Sequence, residues 1–152
     1  MTLRYEELRL DSEKKQGDIA EILSVKRNTY SKWENLINDM PLEKCNELAN
    51  YYKTTLDYLL GLSNVKKTID TPLFIDWDLV SKRLAELRHS MNLTETELSA
   101  KIGFAQTTYS FYEIGKRKPT TMKLLSIAQF HNVSIDYLVG RSDKKTIKMK
   151  IY

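Results

Sequence analysis

The sequence predicts an all-α protein made of two copies of one small helical domain. Apolar residues recur at the spacings of three and four that place side chains on one face of a helix. An internal repeat runs through most of the chain in constant register. A Pro precedes the expected fourth helix of each copy, and a Gly follows the expected last helix of each copy. With 152 residues, the chain is long enough for two small domains.

The repeat is plainest near the end of each copy. The segment LDYLLGLS at 56–63 returns as IDYLVGRS at 135–142, which lies 79 positions later. Because chance matches would not keep one register without a gap, the constant offset indicates duplication of a whole fold. The same offset relates Leu8-Arg9 to Leu87-Arg88, Thr29-Tyr30-Ser31 to Thr108-Tyr109-Ser110, and Glu34 to Glu113.

Each copy is predicted to form five short helices. The second and third helices share an apolar face, and a tight turn separates them at 23–25 and at 102–104. We expect the aromatic members of this face to lie in the core rather than to stack on a ligand. The face consists of Ile19, Ile22, Leu23, Tyr30 and Trp33 in the first copy and of Leu98, Ile102, Tyr109 and Tyr112 in the second.

The fourth and fifth helices are predicted from their boundary residues. The fourth follows Pro41 or Pro119, because Pro is favoured in a first helical turn. Cys45 falls on the apolar side of this helix, so we expect it to be buried packing. The fifth helix is predicted to begin after Thr55 or Ser134, whose hydroxyls can cap it, and to end at Gly61 or Gly140.

These residues resemble the Cro/C1-type (xenobiotic-response-element) helix-turn-helix domain. The match covers QGDIAEILSVKRNTYSKWEN at 16–35 and LTETELSAKIGFAQTTYSFYEIGKRKPT at 93–120. The resemblance implies two five-helix, lambda-repressor-like domains that bind double-stranded DNA. In such a domain, the third helix enters the major groove with its outward residues.

The resemblance also implies which side chains contact DNA. Arg27 suits a guanine edge, and Asn28 and Gln106 suit an adenine edge. Gln16 is expected to anchor a phosphate or to orient a neighbouring base-reading side chain. The outward set is Lys26, Arg27, Asn28, Thr29 and Lys32 in the first copy, Ala105, Gln106, Thr107, Thr108 and Phe111 in the second, and the phosphate-binding loop residues Lys116, Arg117 and Lys118.

The two copies differ in charge. Residues 1–63 hold 9 Lys and Arg against 11 Asp and Glu, whereas residues 78–142 hold 9 against 6. The first copy lacks the basic loop, and in the second copy Glu95 stands where the first has Gln16. Because sequence specificity depends on the local base-reading groups, we expect the first copy to be the main reader.

Other classes of protein lack supporting residues. We predict no enzyme, no metal site and no cofactor. The sequence has a lone Cys45, isolated His89 and His131, and no Gly-rich phosphate loop. The N-terminus carries charges of both signs, and no apolar run approaches the roughly 20 residues of a membrane span. We therefore expect a cytoplasmic protein, and its net charge of +4 suits a polyanionic partner.

The predicted parts are domains at 1–63 and 78–142, a linker at 64–77 and a basic tail at 143–152. The extended linker would reach about 45 Å at 3.3 Å per residue, enough for one chain to straddle two half-sites as a pseudo-dimer. The tail alternates apolar and basic residues, so we predict a strand that pairs with 72–76, within one chain or across a homodimer.

Two functions follow from these expectations. The first is a sequence-specific transcriptional regulator, a repressor that occludes a promoter. The alternative is a protein-interaction module, an antitoxin-like or inhibitor protein that masks a protein partner and binds DNA only to regulate itself.

Overall fold

The computed structural model describes residues 2–147. Over that range the protein is all-helical, with ten helices and no strand. It divides into two compact units, of which the first ends at Leu73 and the second runs from Phe74 to Ile147. None of the helices in the described range is long and apolar enough to cross a membrane.

The first unit contains α1 Tyr5–Asp11, α2 Gln16–Ile22, α3 Arg27–Glu34, α4 Leu42–Tyr51 and α5 Leu56–Leu59. α2 packs against α3, and α4 packs against α5. Tyr30 and Trp33 of α3 are buried, which confirms their predicted place in the core. Cys45 is buried as predicted, and its Sγ lies 3.5 Å from the Tyr5 hydroxyl.

The second unit contains α6 Trp77–Ser90, α7 Glu95–Ile102, α8 Gln106–Glu113, α9 Thr121–His131 and α10 Ile135–Leu138. α8 packs against both α6 and α7. Tyr109 and Tyr112 of α8 are buried, again as predicted. α3 and α8, like α5 and α10, keep the 79-residue offset at both ends, so the sequence repeat is a structural repeat.

The residues predicted to cap the fifth helices do so. The Thr55 hydroxyl accepts a hydrogen bond from the Tyr58 N–H at 3.0 Å, and the Ser134 hydroxyl accepts one from the Tyr137 N–H at 3.1 Å. The fourth helix of each unit follows its proline as predicted, but neither proline lies in the first helical turn. Pro41 is the residue before α4, and Thr120 stands between Pro119 and α9, where it accepts a hydrogen bond from the Lys123 N–H.

Residues with left-handed backbone angles also repeat in the two units. In the second unit these positions hold Gly or Asn, which tolerate a positive φ, whereas most of those in the first unit hold larger side chains. The first unit therefore carries more backbone strain. The equivalent pairs are Glu13 and Asn92, Ser24 and Gly103, Leu36 and Gly115, Lys53 and Asn132, and Gly61 and Gly140.

The predicted strand pairing is wrong for the part of it that the structure describes. Residues 72–76 form no strand, because the backbone of Leu73 bonds to the side chain of Asn50 instead. In the tail, the Lys145 carbonyl accepts a hydrogen bond from the Ser134 N–H, and no strand forms up to Ile147. The rest of the predicted strand, 148–152, lies outside the described residues.

Candidate nucleic-acid interface

The outer face of α3 is polar and basic. Lys26, Arg27, Asn28 and Lys32 are exposed, while Thr29 is half-buried. The opposite face of the helix supplies Tyr30 and Trp33 to the core. Packing on one side therefore fixes the helix, and its first turn presents long hydrogen-bonding side chains to solvent.

A buried ion pair ties the end of α3 to α1. Arg9 Nη2 lies 2.7 Å from Glu34 Oε1, and the Glu34 side chain is only 2% exposed. Gln16 Nε2, at the start of α2, donates to the same oxygen at 3.3 Å. Burial opposes ionisation of Glu34, but the hydrogen bonds from Arg9 and Gln16 outweigh it and hold the pKa of Glu34 below its ordinary value.

This contact changes what is expected of Gln16. The side chain is half-buried, and one of its N–H groups already bonds to Glu34 inside the unit. An amide has a second N–H and a carbonyl oxygen, so Gln16 keeps groups that can bond a phosphate. The bond to Glu34 fixes the direction in which those groups point.

The outer face of α8 is polar but uncharged. Gln106 and Thr107 are exposed, and Ala105 is exposed where it precedes the helix. The sequence predicted that Thr108 and Phe111 also face outward, but both side chains are half-buried. The side chains of α8 best placed to reach a base edge are therefore Gln106 and Thr107.

The ion pair of the first unit has its equivalent in the second. Arg88 Nε lies 2.7 Å from Glu113 Oε1, across α6 and α8. Burial opposes ionisation of Glu113, but the bonds from Arg88 outweigh it and lower the pKa of that carboxyl. At the start of α7, Glu95 accepts a hydrogen bond from Gln106 Nε2 at 3.3 Å, so a carboxylate orients the amide of Gln106.

The loop after α8 forms a basic patch on an aromatic ring. Lys116 Nζ lies 5.2 Å and the Arg117 guanidinium 5.5 Å from the centre of the Phe111 ring. Lys118 Nζ lies 5.0 Å from the centre of the Trp77 ring. All three basic residues are exposed, so the rings support their stems while their charges face solvent.

The corresponding loop of the first unit is apolar. Leu36 and Ile37 are 64% and 69% exposed, and Asp39 occupies the place that Lys118 has in the second unit. The two third helices are thus flanked differently: α3, with its basic outer face, lacks a basic loop, and α8, with its uncharged outer face, has one.

The role of four residues was not predicted from the sequence. In the sequence these residues were noted only because they recur at the offset of the repeat. In the structure they form the two ion pairs that fix α3 and α8, Arg9 with Glu34 and Arg88 with Glu113. The signal that could have found them was a charge of each sign kept in both copies at one offset. Charged residues that are buried are expected to be paired.

A short helix packed across a preceding helix, with an exposed polar first turn, defines the helix-turn-helix class of domain. The helix-turn-helix family model matches this chain twice, at residues 6–59 and 84–138, which together exceed half of its length. The protein belongs to that family and to its Cro/C1 type.

Several curated proteins are similar to one domain-length stretch of this chain. YobD, an HTH-type transcriptional regulator of Bacillus subtilis, is 38% identical over 69 residues, which are 45% of this chain and 62% of YobD. The cryptic phage CTXphi transcriptional repressor RstR of Vibrio cholerae is 39% identical over 62 residues, or 41% and 55% of the two chains. The HTH-type regulator y4dJ of Sinorhizobium fredii is 39% identical over 66 residues, or 43% and 86%. The chain thus spans between half and two thirds of YobD and RstR.

Proposed function

We propose that this protein is a transcriptional regulator that binds specific sequences of double-stranded DNA, with α3 and α8 each entering a major groove. The observation that carries the proposal is the duplication itself. Two units of one helix-turn-helix fold each expose the first turn of the third helix, and a buried ion pair fixes each of these helices.

In this proposal, α3 supplies the stronger base contacts. Arg27 donates two hydrogen bonds to a guanine edge, and Asn28 pairs with an adenine edge. Lys26 and Lys32 flank them and neutralise phosphates, Thr29 offers a methyl group to thymine, and Gln16 bonds a phosphate with the groups that Glu34 leaves available.

The second unit combines weaker base reading with stronger phosphate binding. Gln106, oriented by Glu95, pairs with adenine, and Thr107 and Thr108 offer methyl groups to thymine. The loop at 116–118 neutralises the phosphate backbone, which supplies affinity without sequence information. A homodimer would double both contributions.

Repression is the proposed outcome of binding. RstR is named as a transcriptional repressor, and YobD and y4dJ as transcriptional regulators. A compact protein bound to a promoter excludes polymerase by occupying the same DNA, which needs no further domain. We extend this mode of action to the present chain.

A random-site DNA selection with the full chain tests the proposal, followed by titration of salt on the selected duplexes. We expect an enriched sequence and an affinity that falls linearly on a log-log plot of binding against salt, because bound phosphates release counterions. A selection that enriches nothing, together with no shift of the DNA upstream of its own gene, would contradict DNA binding.

One observation favours a second function, the masking of a protein partner. Leu36 and Ile37 are both largely exposed in the loop that follows α3, where two adjacent large apolar side chains gain nothing from water. If the selection fails, a double substitution of Leu36 and Ile37 to Ser tests this alternative, since it should abolish capture of a partner while leaving the fold intact.

A further inference from the structure

The linker is fastened to the first unit by the side chain of Asn50. Asn50 Nδ2 donates to the Leu73 carbonyl at 2.8 Å, and the Leu73 N–H donates to Asn50 Oδ1 at 3.1 Å. One side-chain amide therefore satisfies both backbone groups of a linker residue, as a neighbouring strand would. A second bond, from the Ile69 N–H to the Lys53 carbonyl at 2.9 Å, holds the linker four residues earlier.

The second unit begins its own structure at Asp76. The Asp76 N–H donates to the Val139 carbonyl at 2.9 Å, and the Asp76 carboxylate accepts a hydrogen bond from the Leu79 N–H and caps α6. Between the two fastened residues, Leu73 and Asp76, lie only Phe74 and Ile75. Phe74 is 76% exposed.

The bonds between Asn50 and Leu73 shorten the length of free chain between the two units. From Leu73 to Asp76 the chain takes three residue steps, which extend to about 11 Å at roughly 3.6 Å each. With Leu73 released, the next residue held on the first unit is Ile69, and the seven steps from Ile69 to Asp76 extend to about 25 Å at roughly 3.6 Å each. The added reach of about 14 Å corresponds to roughly four base pairs of DNA at 3.4 Å each.

We propose that Asn50 determines which spacings of half-sites one chain can bridge, by holding Leu73 on the first unit. Asn50 contacts no DNA in this role and is a positioning residue. The proposal rests on the proposed DNA binding, because two linked modules gain affinity from each other only where the connection spans both sites. The short connection confines that gain to a narrow range of spacings.

The test measures affinity against spacing. Duplexes from the random-site selection are rebuilt with zero to ten base pairs inserted between the two half-sites, at one salt concentration. For the wild-type protein we expect one preferred spacing and an affinity at least about a hundredfold lower away from it, the scale by which a linked second site raises affinity. Asn50→Ala removes both bonds to Leu73, so its profile should be broader and its best affinity lower.

Two further variants isolate the cause. Six Gly and Ser residues inserted between Phe74 and Ile75 lengthen the connection without touching Asn50, and should broaden the profile in the same way. Leu73→Pro removes the N–H that donates to Asn50 and leaves α4 unaltered, which serves if Asn50→Ala fails to fold. Lys66→Ala, an exposed change in the same linker, is the matched control and should keep the wild-type profile.

Each outcome decides a different point. An Asn50→Ala profile as narrow as that of the wild type, beside a broadened insertion variant, overturns the role of Asn50. Unchanged profiles in all variants overturn the limit set by the linker. If no duplex is bound at all, the proposed function fails, and small-angle scattering of the free protein still tests the fastening. Asn50→Ala must then increase the radius of gyration, and an unchanged value overturns the proposal.

Discussion

A few single residues give the first unit more backbone strain than the second. At five equivalent positions the backbone is left-handed, and the second unit holds Gly or Asn at all of them, whereas the first holds Gly at Gly61 alone. Leu36, at φ 60°, is the clearest case in the first unit, because its side chain is largely exposed and gains little from packing. Its equivalent is Gly115.

Leu36→Asn should stabilise the protein. Asn tolerates a positive φ far better than Leu, so we expect the free energy of unfolding to rise by about 0.5–1 kcal/mol. Urea unfolding measures the change. Ile37→Asn is the matched control, since it removes an equally exposed apolar side chain from a residue without a positive φ, and it should lie within about 0.5 kcal/mol of the wild type. Equal effects of the two substitutions would contradict the strain argument.

His131 should make stability depend on pH. Its Nε2 atom is buried and has no hydrogen-bond partner among residues 2–147. Burial, and secondly the charge of Lys145, lower the pKa of His131 from its ordinary 6.5. The unfolded chain therefore takes up a proton at a higher pH than the folded one, so the stability contributed by neutral His131 is present above pH 6.5 and is lost as the pH falls below it.

Thermal unfolding between about pH 7.5 and 5 checks this prediction. His131→Tyr, which installs the residue found at the equivalent position 52, should remove that part of the pH dependence. His89→Tyr changes an exposed histidine and should leave the wild-type dependence in place. If His131→Tyr becomes less stable on acidification as steeply as the wild type does, His131 is not the titrating group.

At the scale of elements, the sequence predicted the third and fifth helices of each copy well, because periodic apolar residues, caps and glycines all lie within short stretches of chain. It could not predict the fastened linker. The bonds between Asn50 and Leu73 join residues 23 positions apart, and no local pattern in the sequence indicates them. The alternation of the tail suggested a strand paired with 72–76, but the Asn50 side chain bonds both backbone groups of Leu73, in the middle of the proposed pairing.

The candidate interface was predictable in composition but not in geometry. The resemblance named the outward residues of α3 and α8, and most of them are exposed. Tertiary contacts decide which of these side chains have a fixed orientation, as the hydrogen bond from Gln106 to Glu95 shows. The half-burial of Thr29, Thr108 and Phe111 likewise depends on how each helix is rotated against its unit, which periodicity fixes only approximately.

The basic loop should control affinity rather than specificity. Changing Lys116, Arg117 and Lys118 together to Gln should reduce the slope of log affinity against log salt by about 2–3, roughly 0.9 for each phosphate that is no longer neutralised. The selected base sequence should stay the same, because phosphate contacts carry no sequence information. Lys66→Gln with Lys67→Gln, two exposed linker residues, is the control; an equal decrease of slope there would assign the effect to net charge alone.

For the whole molecule, we propose that the two units divide base reading and phosphate binding between them. The first unit joins a third helix with a basic outer face to an apolar, acidic loop, and the second joins an uncharged helix face to a basic loop on Phe111. In this account, one chain holds the base chemistry and the phosphate chemistry in separate domains. In this proposal, residues 64–76, which precede α6, link the contributions of the two units on one DNA molecule.

The most direct test of this account compares two double variants on the selected duplex. Arg27→Ala with Asn28→Ala should weaken binding by at least about tenfold and relax the base preference, since one good bidentate contact contributes about 1–3 kcal/mol of discrimination. Gln106→Ala with Thr107→Ala should weaken binding less and change fewer base positions. If only the second pair mattered, the first unit would not be the main reader, and if neither pair changed the selected sequence, α3 and α8 would not read DNA.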